Sequence, residues 1–60
     1  MKQLNLKKSQ WIRFEQLCKF FGFKVETDAT YTYSNLIEIP HYYLKIIKLG
    51  EVVCIANLID

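Results

Sequence analysis

The chain has 60 residues and a mass of 7.2 kDa, with a net charge of +2, 52% hydrophobic residues and 23% charged residues. This composition favours a single packed domain over residues 1–60 and argues against a disordered tail. No uncharged run approaches the ~20 residues of a membrane-spanning helix, and the first twenty residues lack a secretory pattern. We therefore expect a cytoplasmic protein that has no membrane partner.

Residues 9–21 form the first predicted element, a helix. Ser9 is a favoured N-cap residue, and Gly22 is suited to the left-handed conformation that ends a helix, with Phe23 folding back on the last turn. At 100° per residue, one arc of about 120° should face the core. Its members are Trp11, Phe14, Leu17, Cys18 and Phe21. Ile12 and Phe20 lie on the polar side instead, where we expect them to contact a partner, although single exposed apolar residues are common.

Two extended segments are predicted after the helix. Residues 23–27 alternate between apolar and polar side chains, Asp28 and Ala29 supply a turn, and residues 30–39 are rich in Thr, Tyr and Ile. Pro40 then closes the second strand. Residues 2–6 are expected to add a short edge strand.

The most apolar part of the chain, residues 42–59, predicts a hairpin. Residues 42–49 and 51–59 are β-branched runs that flank Gly50. The first arm has a rival interpretation as a helix, because His41, Lys45 and Lys48 lie at helical spacing after Pro40. We favour a strand, since the second arm needs a neighbour to pair with. The predicted fold class is α+β, with one N-terminal helix packed on a small, mostly antiparallel sheet of three to four strands.

The predicted hairpin has apolar side chains on both faces, and a single helix covers about two strands on one face only. A chain of this size also buries barely enough surface to offset its conformational entropy, so we expect a homodimer to cover the rest. The predicted partner or dimer interface consists of Ile12, Phe20, Tyr43, Ile47, Val53 and Ile55.

The sequence predicts no catalytic, metal or cofactor site. Cys18, His41 and Cys54 are lone residues without the paired spacing of zinc ligands, and we expect the cysteines to be buried thiols. Nucleophilic catalysis needs a Cys or Ser beside a histidine that a third group orients, but the lone His41 lies between a proline and two tyrosines, and Cys18 lies on the core face of the predicted helix. Two isolated glycines make no phosphate loop. We therefore expect a protein that is not an enzyme.

The positive charge is concentrated in residues 1–24, which sum to +5, whereas residues 25–60 sum to −3. We expect Lys8, Arg13 and Lys19 to steer association electrostatically. The alternative is a small nucleic-acid-binding regulator that uses this basic N-terminal face. A pI of 8.6 and the lack of a recognised module make nucleic acid the less favoured partner.

The leading functional hypothesis is a non-enzymatic, homodimeric protein-binding module that inhibits another macromolecule. Lys, Ile, Asn, Phe and Tyr, which A/T-rich codons encode, make up 25 of the 60 residues. This bias indicates a low-GC genome, such as that of a low-GC bacterium or its phage. Small chains without catalytic residues from such genomes are often phage or mobile-element products, so we expect an antagonist of a host antiviral defence system. The protein target itself is not identified by any residue pattern.

Overall fold

The computed structural model describes residues 2–59 and contains one helix and four strands. The elements, in chain order, are β1 (Lys2–Lys7), α1 (Lys8–Phe20), β2 (Lys24–Ser34), β3 (Ile37–Lys48) and β4 (Glu51–Ile59). The helix packs on one face of a single sheet with the strand order β1-β4-β3-β2. The predicted α+β class is confirmed.

The predicted N-terminal edge strand is also confirmed, and it makes the sheet mixed. β1 runs parallel to β4, with Leu4 opposite Ala56, whereas β3 is antiparallel to both of its neighbours. Because β1 and β2 lie at opposite edges of the sheet, α1 carries the chain across one face. That face of the sheet is therefore the only one that α1 covers.

The helix ends as predicted but begins differently. Gly22 has φ 87°, its N–H donates to the carbonyl of Lys19, and the N–H of Phe23 donates to the carbonyl of Cys18, both at 3.0 Å. These bonds form a Schellman motif. At the other end the helix begins at Lys8, so the prediction that Ser9 is the N-cap is wrong. The Lys7 N–H instead donates to Oε1 of Gln10 (3.1 Å), because β1 runs directly into the first turn.

The predicted turn at Asp28 and Ala29 is wrong, since β2 is continuous over eleven residues. The chain reverses instead at Asn35 and Leu36, with φ values of 50° and 65°. Two successive residues with positive φ match the twist of a hairpin. Asp28 and Ala29 stay extended because β2 pairs with β3 along its whole length.

The prediction that Pro40 closes a strand is wrong as well. Pro40 lies inside β3, opposite Tyr31. β4 pairs with β3 only between Tyr43 and Lys48, so Pro40 lies where β3 has no neighbour on its other side. A proline is tolerated there because its missing N–H removes no sheet hydrogen bond.

The hairpin of β3 and β4 is confirmed, and the alternative helix over residues 41–49 is wrong. Leu49 (φ 52°) and Gly50 (φ 80°) form the connection. The register shifts between Ile46 and Ile47, which leaves Val53 without an opposite residue. Such a bulge bends the strand locally.

The core is small. Leu44, Ile46 and Ala56 are its buried members, and half-buried apolar side chains surround them. These include Trp11, Phe14 and Cys18, the three residues through which α1 contacts the core. Leu17 and Phe21 are 53% and 66% exposed, so the prediction that they face the core is wrong. The core-facing arc of α1 is narrower than its apolar arc.

The molecule is extended, measuring 42 × 24 × 15 Å with a radius of gyration of 12.6 Å. A compact chain of this length has a radius of gyration of about 10 Å. The excess length lies in residues 29–42, where β2 and β3 continue past the end of the β3–β4 pairing as a two-stranded ribbon. We call this ribbon the arm.

Candidate interaction surfaces

The side of α1 that faces away from the sheet carries exposed apolar residues. Ile12 and Phe20 are 71% and 82% exposed, and Leu17, which is 53% exposed, lies beside Phe20. Arg13, Gln16, Leu17 and Phe20 line a shallow groove of about 390 Å³, at the i, i+3, i+4, i+7 spacing of one helix stripe. We call Ile12, Arg13, Gln16, Leu17 and Phe20 the helix patch.

The position of Phe20 is supported by its neighbour. The rings of Phe20 and Phe21 meet edge to face, with centroids 5.4 Å apart. This geometry is favourable for aromatic pairs and restricts both side chains. An anchor that is restricted before binding loses less entropy when it binds.

The three residues predicted to steer association do not form one cluster. Arg13 lies within about 20° of Phe20 around the helix axis, whereas Lys8 and Lys19 lie roughly 120–140° from Arg13, on the Ile12 side of the helix patch. Lys19 Nζ is also 3.3 Å from Glu15 Oε1, in an exposed ion pair. Arg13 is therefore the cation best placed to act together with Phe20.

The face of the sheet opposite α1 holds three of the other predicted interface residues. Tyr43 and Ile47 alternate with the core residues Leu44 and Ile46, so they point away from the helix, and Ile55 lies opposite Lys45 on the same face. All three are half-buried, and Val53 is exposed beside them. Tyr43, Ile47 and Ile55 thus lie on the side that α1 leaves uncovered, whereas Val53, at the bulge, has no opposite residue that assigns it to this face.

Charged side chains flank the apolar residues of this face, with Lys45 in β3 and the others in β2. Lys45 Nζ is 3.6 Å from Asp28 Oδ2, and Lys24 Nζ is 3.7 Å from Glu26 Oε1. The backbone N–H of Ala29 donates to Asp28 (2.8 Å) and, together with Lys45, lowers the pKa of that carboxyl. The carboxylate therefore stays ionised, and the β2 side of this face is suited to water.

A cleft between the helix and the base of the arm was not predicted. It has a volume of about 610 Å³ and is lined by Lys8, Trp11, Ile39, Pro40, His41, Tyr42 and Leu58. The imidazole Nε2 of His41 is 3.0 Å from the Thr32 hydroxyl, which fixes the ring within the arm. These residues come from three separate elements, so no local sequence pattern indicates the cleft.

The potentially reactive side chains are scattered over the described part of the chain. Within residues 2–59, no group of three or more His, Cys, Asp or Glu residues is placed to hold a metal ion. Cys18 and Cys54 are free and half-buried rather than fully buried. Partial burial, and secondarily the charge of Cys54, raises the pKa of the Cys18 thiol, which makes it a poor nucleophile. No helix in the described part of the chain is long and apolar enough to cross a bilayer.

Comparison with known proteins found no similar protein. No protein-family model matches the chain, and neither a curated protein nor a solved structure matches it. The functional argument therefore rests on the surfaces described above.

Proposed function

We propose that the protein is a non-enzymatic protein-binding module that acts as a homodimer. The helix patch is the observation that carries the binding function. Phe20 and Ile12 are among its large exposed side chains, and Arg13 lies next to Phe20 in the same stripe. Phenylalanine and arginine are enriched at protein interfaces, and arginine is also enriched among the residues that dominate binding energy.

The exposed area supports association. The chain exposes 4973 Å². A compact monomer of this mass exposes roughly 4,100 Å², which is about 850 Å² less. A standard interface buries about 800 Å² on each partner. One interface of ordinary size would thus bring the exposed area to that of a compact protein.

Inhibition of another macromolecule is the activity that we propose for this module. A binder with no chemistry of its own acts by covering a surface that its target needs. Antagonism of a host antiviral defence system remains a prediction from size and composition. It supplies the first targets to test.

Binding of nucleic acid is less favoured by the charge distribution. The arm is the most protruding element, and Glu38 is the only Asp, Glu, Lys or Arg in residues 29–42. Phosphate contacts require cations, which the aromatic arm lacks. Lys19 is already paired with Glu15.

The test is capture of a partner from host lysate by the tagged protein, with and without nuclease. We expect the captured protein to survive nuclease treatment. In a direct titration with that protein, Phe20→Ala should weaken binding by about 30-fold, as expected for the loss of an interface anchor. Leu36→Ala is the matched control, because it shortens a fully exposed apolar side chain at the tip of the arm.

Two outcomes would contradict the proposal. Loss of the partner after nuclease treatment would favour the nucleic-acid alternative. Equal affinity of the Phe20→Ala and Leu36→Ala variants would remove the helix patch from the binding surface.

A further inference from the structure

We propose that two copies of the chain pair antiparallel along the outer edge of β2, with the two-fold axis at Ala29. Each copy contributes four strands, and the result is one continuous sheet of eight. This inference rests on the homodimer in the proposed function. It adds the surface and the register of the pairing.

The first argument compares the free strand edges within residues 2–59. β1 is six residues long and has Lys2 and Lys7 at its ends, and the unpaired part of β3 contains Pro40. Short length, lysine and proline are features that protect an edge from pairing. β2 is eleven residues long, and its outer half, residues 29–34, has no charge, proline or glycine. β2 is therefore the edge least protected against another strand.

The second argument is the register. Opposite residues of an antiparallel pair point to the same face, so a two-fold axis at Ala29 keeps α1 of both copies on one side of the sheet. All eleven residues of β2 then find an opposite residue. The charged half of each strand lies against the uncharged half of the other, with Glu26 opposite Thr32 and Asp28 opposite Thr30 of the second copy.

Neighbouring registers are less favourable. An axis at Asp28, Thr27 or Glu26 places two carboxylates directly opposite each other, which is destabilising. An axis at Thr30 leaves Lys24 and Val25 unpaired. With the axis at Ala29, the two Asp28 carboxylates are only diagonal neighbours, and each keeps its Lys45 partner at 3.6 Å.

The third argument is the cover that this pairing gives to the arm. An isolated two-stranded hairpin is marginally stable in water. Tyr31 and Tyr33 are 55% and 75% exposed. In the proposed register they lie opposite Thr27 and Val25 of the second copy, and Val25 packs against the core. Pairs of aromatic and β-branched residues across strands are stabilising. Each arm is thereby supported by the body of the other copy.

Disulfide trapping tests the register directly, in a Cys18→Ala, Cys54→Ala background. Opposite residues have Cα atoms about 4.5–5.5 Å apart, within the range that a disulfide spans. Under mild oxidation, Ala29→Cys should form a covalent dimer. Thr27→Cys and Tyr31→Cys should not cross-link alone, but their mixture should form a covalent heterodimer, because these two positions oppose each other.

Two variants of opposite charge at Thr30 test the same interface without cross-linking. Thr30 is exposed and would lie opposite Asp28 of the second copy. Thr30→Asp should raise the dimer dissociation constant roughly tenfold, because it creates two like-charge contacts in each dimer. Thr30→Lys at the same position should lower that constant. Sedimentation equilibrium measures both, and circular dichroism shows whether each variant is folded.

The outcomes separate this inference from the proposed function. A dimer that does not cross-link through Ala29→Cys, with equal dissociation constants for both Thr30 variants, overturns the β2 pairing and leaves another dimer surface. A monomeric protein overturns both the pairing and the homodimer. Target binding that depends on Phe20 is measured separately. If Thr30→Asp is unfolded, tighter association of Thr30→Lys and the Ala29→Cys cross-link still decide the result.

Discussion

Leu49 has a backbone conformation that leucine rarely adopts. It has φ 52° in the turn between β3 and β4 and is almost fully exposed. The left-handed region costs a residue with a Cβ about 1–2 kcal/mol, and Asn tolerates it better than most. Leu49 therefore adds backbone strain without contributing to the core.

Leu49→Asn should stabilise the protein by about 0.5–1 kcal/mol, because it creates the Asn-Gly sequence that two-residue hairpins favour. For a domain of this size, that corresponds to a rise in Tm of roughly 2–8 °C. Thermal unfolding at a fixed protein concentration measures it. Leu49→Ala is the control, since it removes the same exposed side chain without improving the turn. Equal Tm values for the two variants would show that the turn is not strained.

Single residues also show what sequence reasoning identifies and what it misses. Helix angles predict that Ile12 and Phe20 are exposed, and they are. The same angles place Leu17 and Phe21 on the core side, but only Trp11, Phe14 and Cys18 of α1 reach the core. Helix angles show which side of α1 faces the core. How many residues on that side reach the core depends on how α1 lies on the sheet.

At the scale of the element, α1 ends where a local signal specifies it. Gly22 has φ 87°, and a Cβ added there would meet no atom within 4 Å. Replacement by alanine would therefore cause no clash. Its cost is that of the left-handed backbone alone.

Gly22→Ala should lower the free energy of unfolding by about 1–2 kcal/mol, because the helix end then requires an alanine in the left-handed region. Urea denaturation measures the change. Ser9→Ala is the matched control in the same helix, because Ser9 is exposed and makes no cap. A Gly22→Ala variant as stable as the Ser9→Ala variant would contradict the role assigned to the Schellman motif.

Some features of the strands follow from local sequence, whereas others depend on pairing between distant segments. The β3–β4 hairpin was predictable because two β-branched runs flank Gly50. The turn at Asn35 and Leu36 was harder to predict: Asn35 is a favoured turn residue, but a leucine with positive φ is uncommon, and Asp28 offers a competing turn signal. The β2 edge and the cleft depend on strand order. That order follows from pairing between distant segments.

At the scale of the whole molecule, the exposed surface and the extended shape have a common origin. Within residues 2–59, Leu44, Ile46 and Ala56 alone are buried, and the arm continues past the sheet that α1 covers. Folding of one copy alone thus leaves about 850 Å² more exposed than a compact monomer would. Association that buries this surface should stabilise the fold. Its Tm should then rise with protein concentration.

Sedimentation equilibrium of the unmodified protein at micromolar concentration tests the central claim most directly. The homodimer predicts a mass of twice the 7.2 kDa chain, with dissociation on dilution. A single species of 7.2 kDa across the concentration range would contradict it.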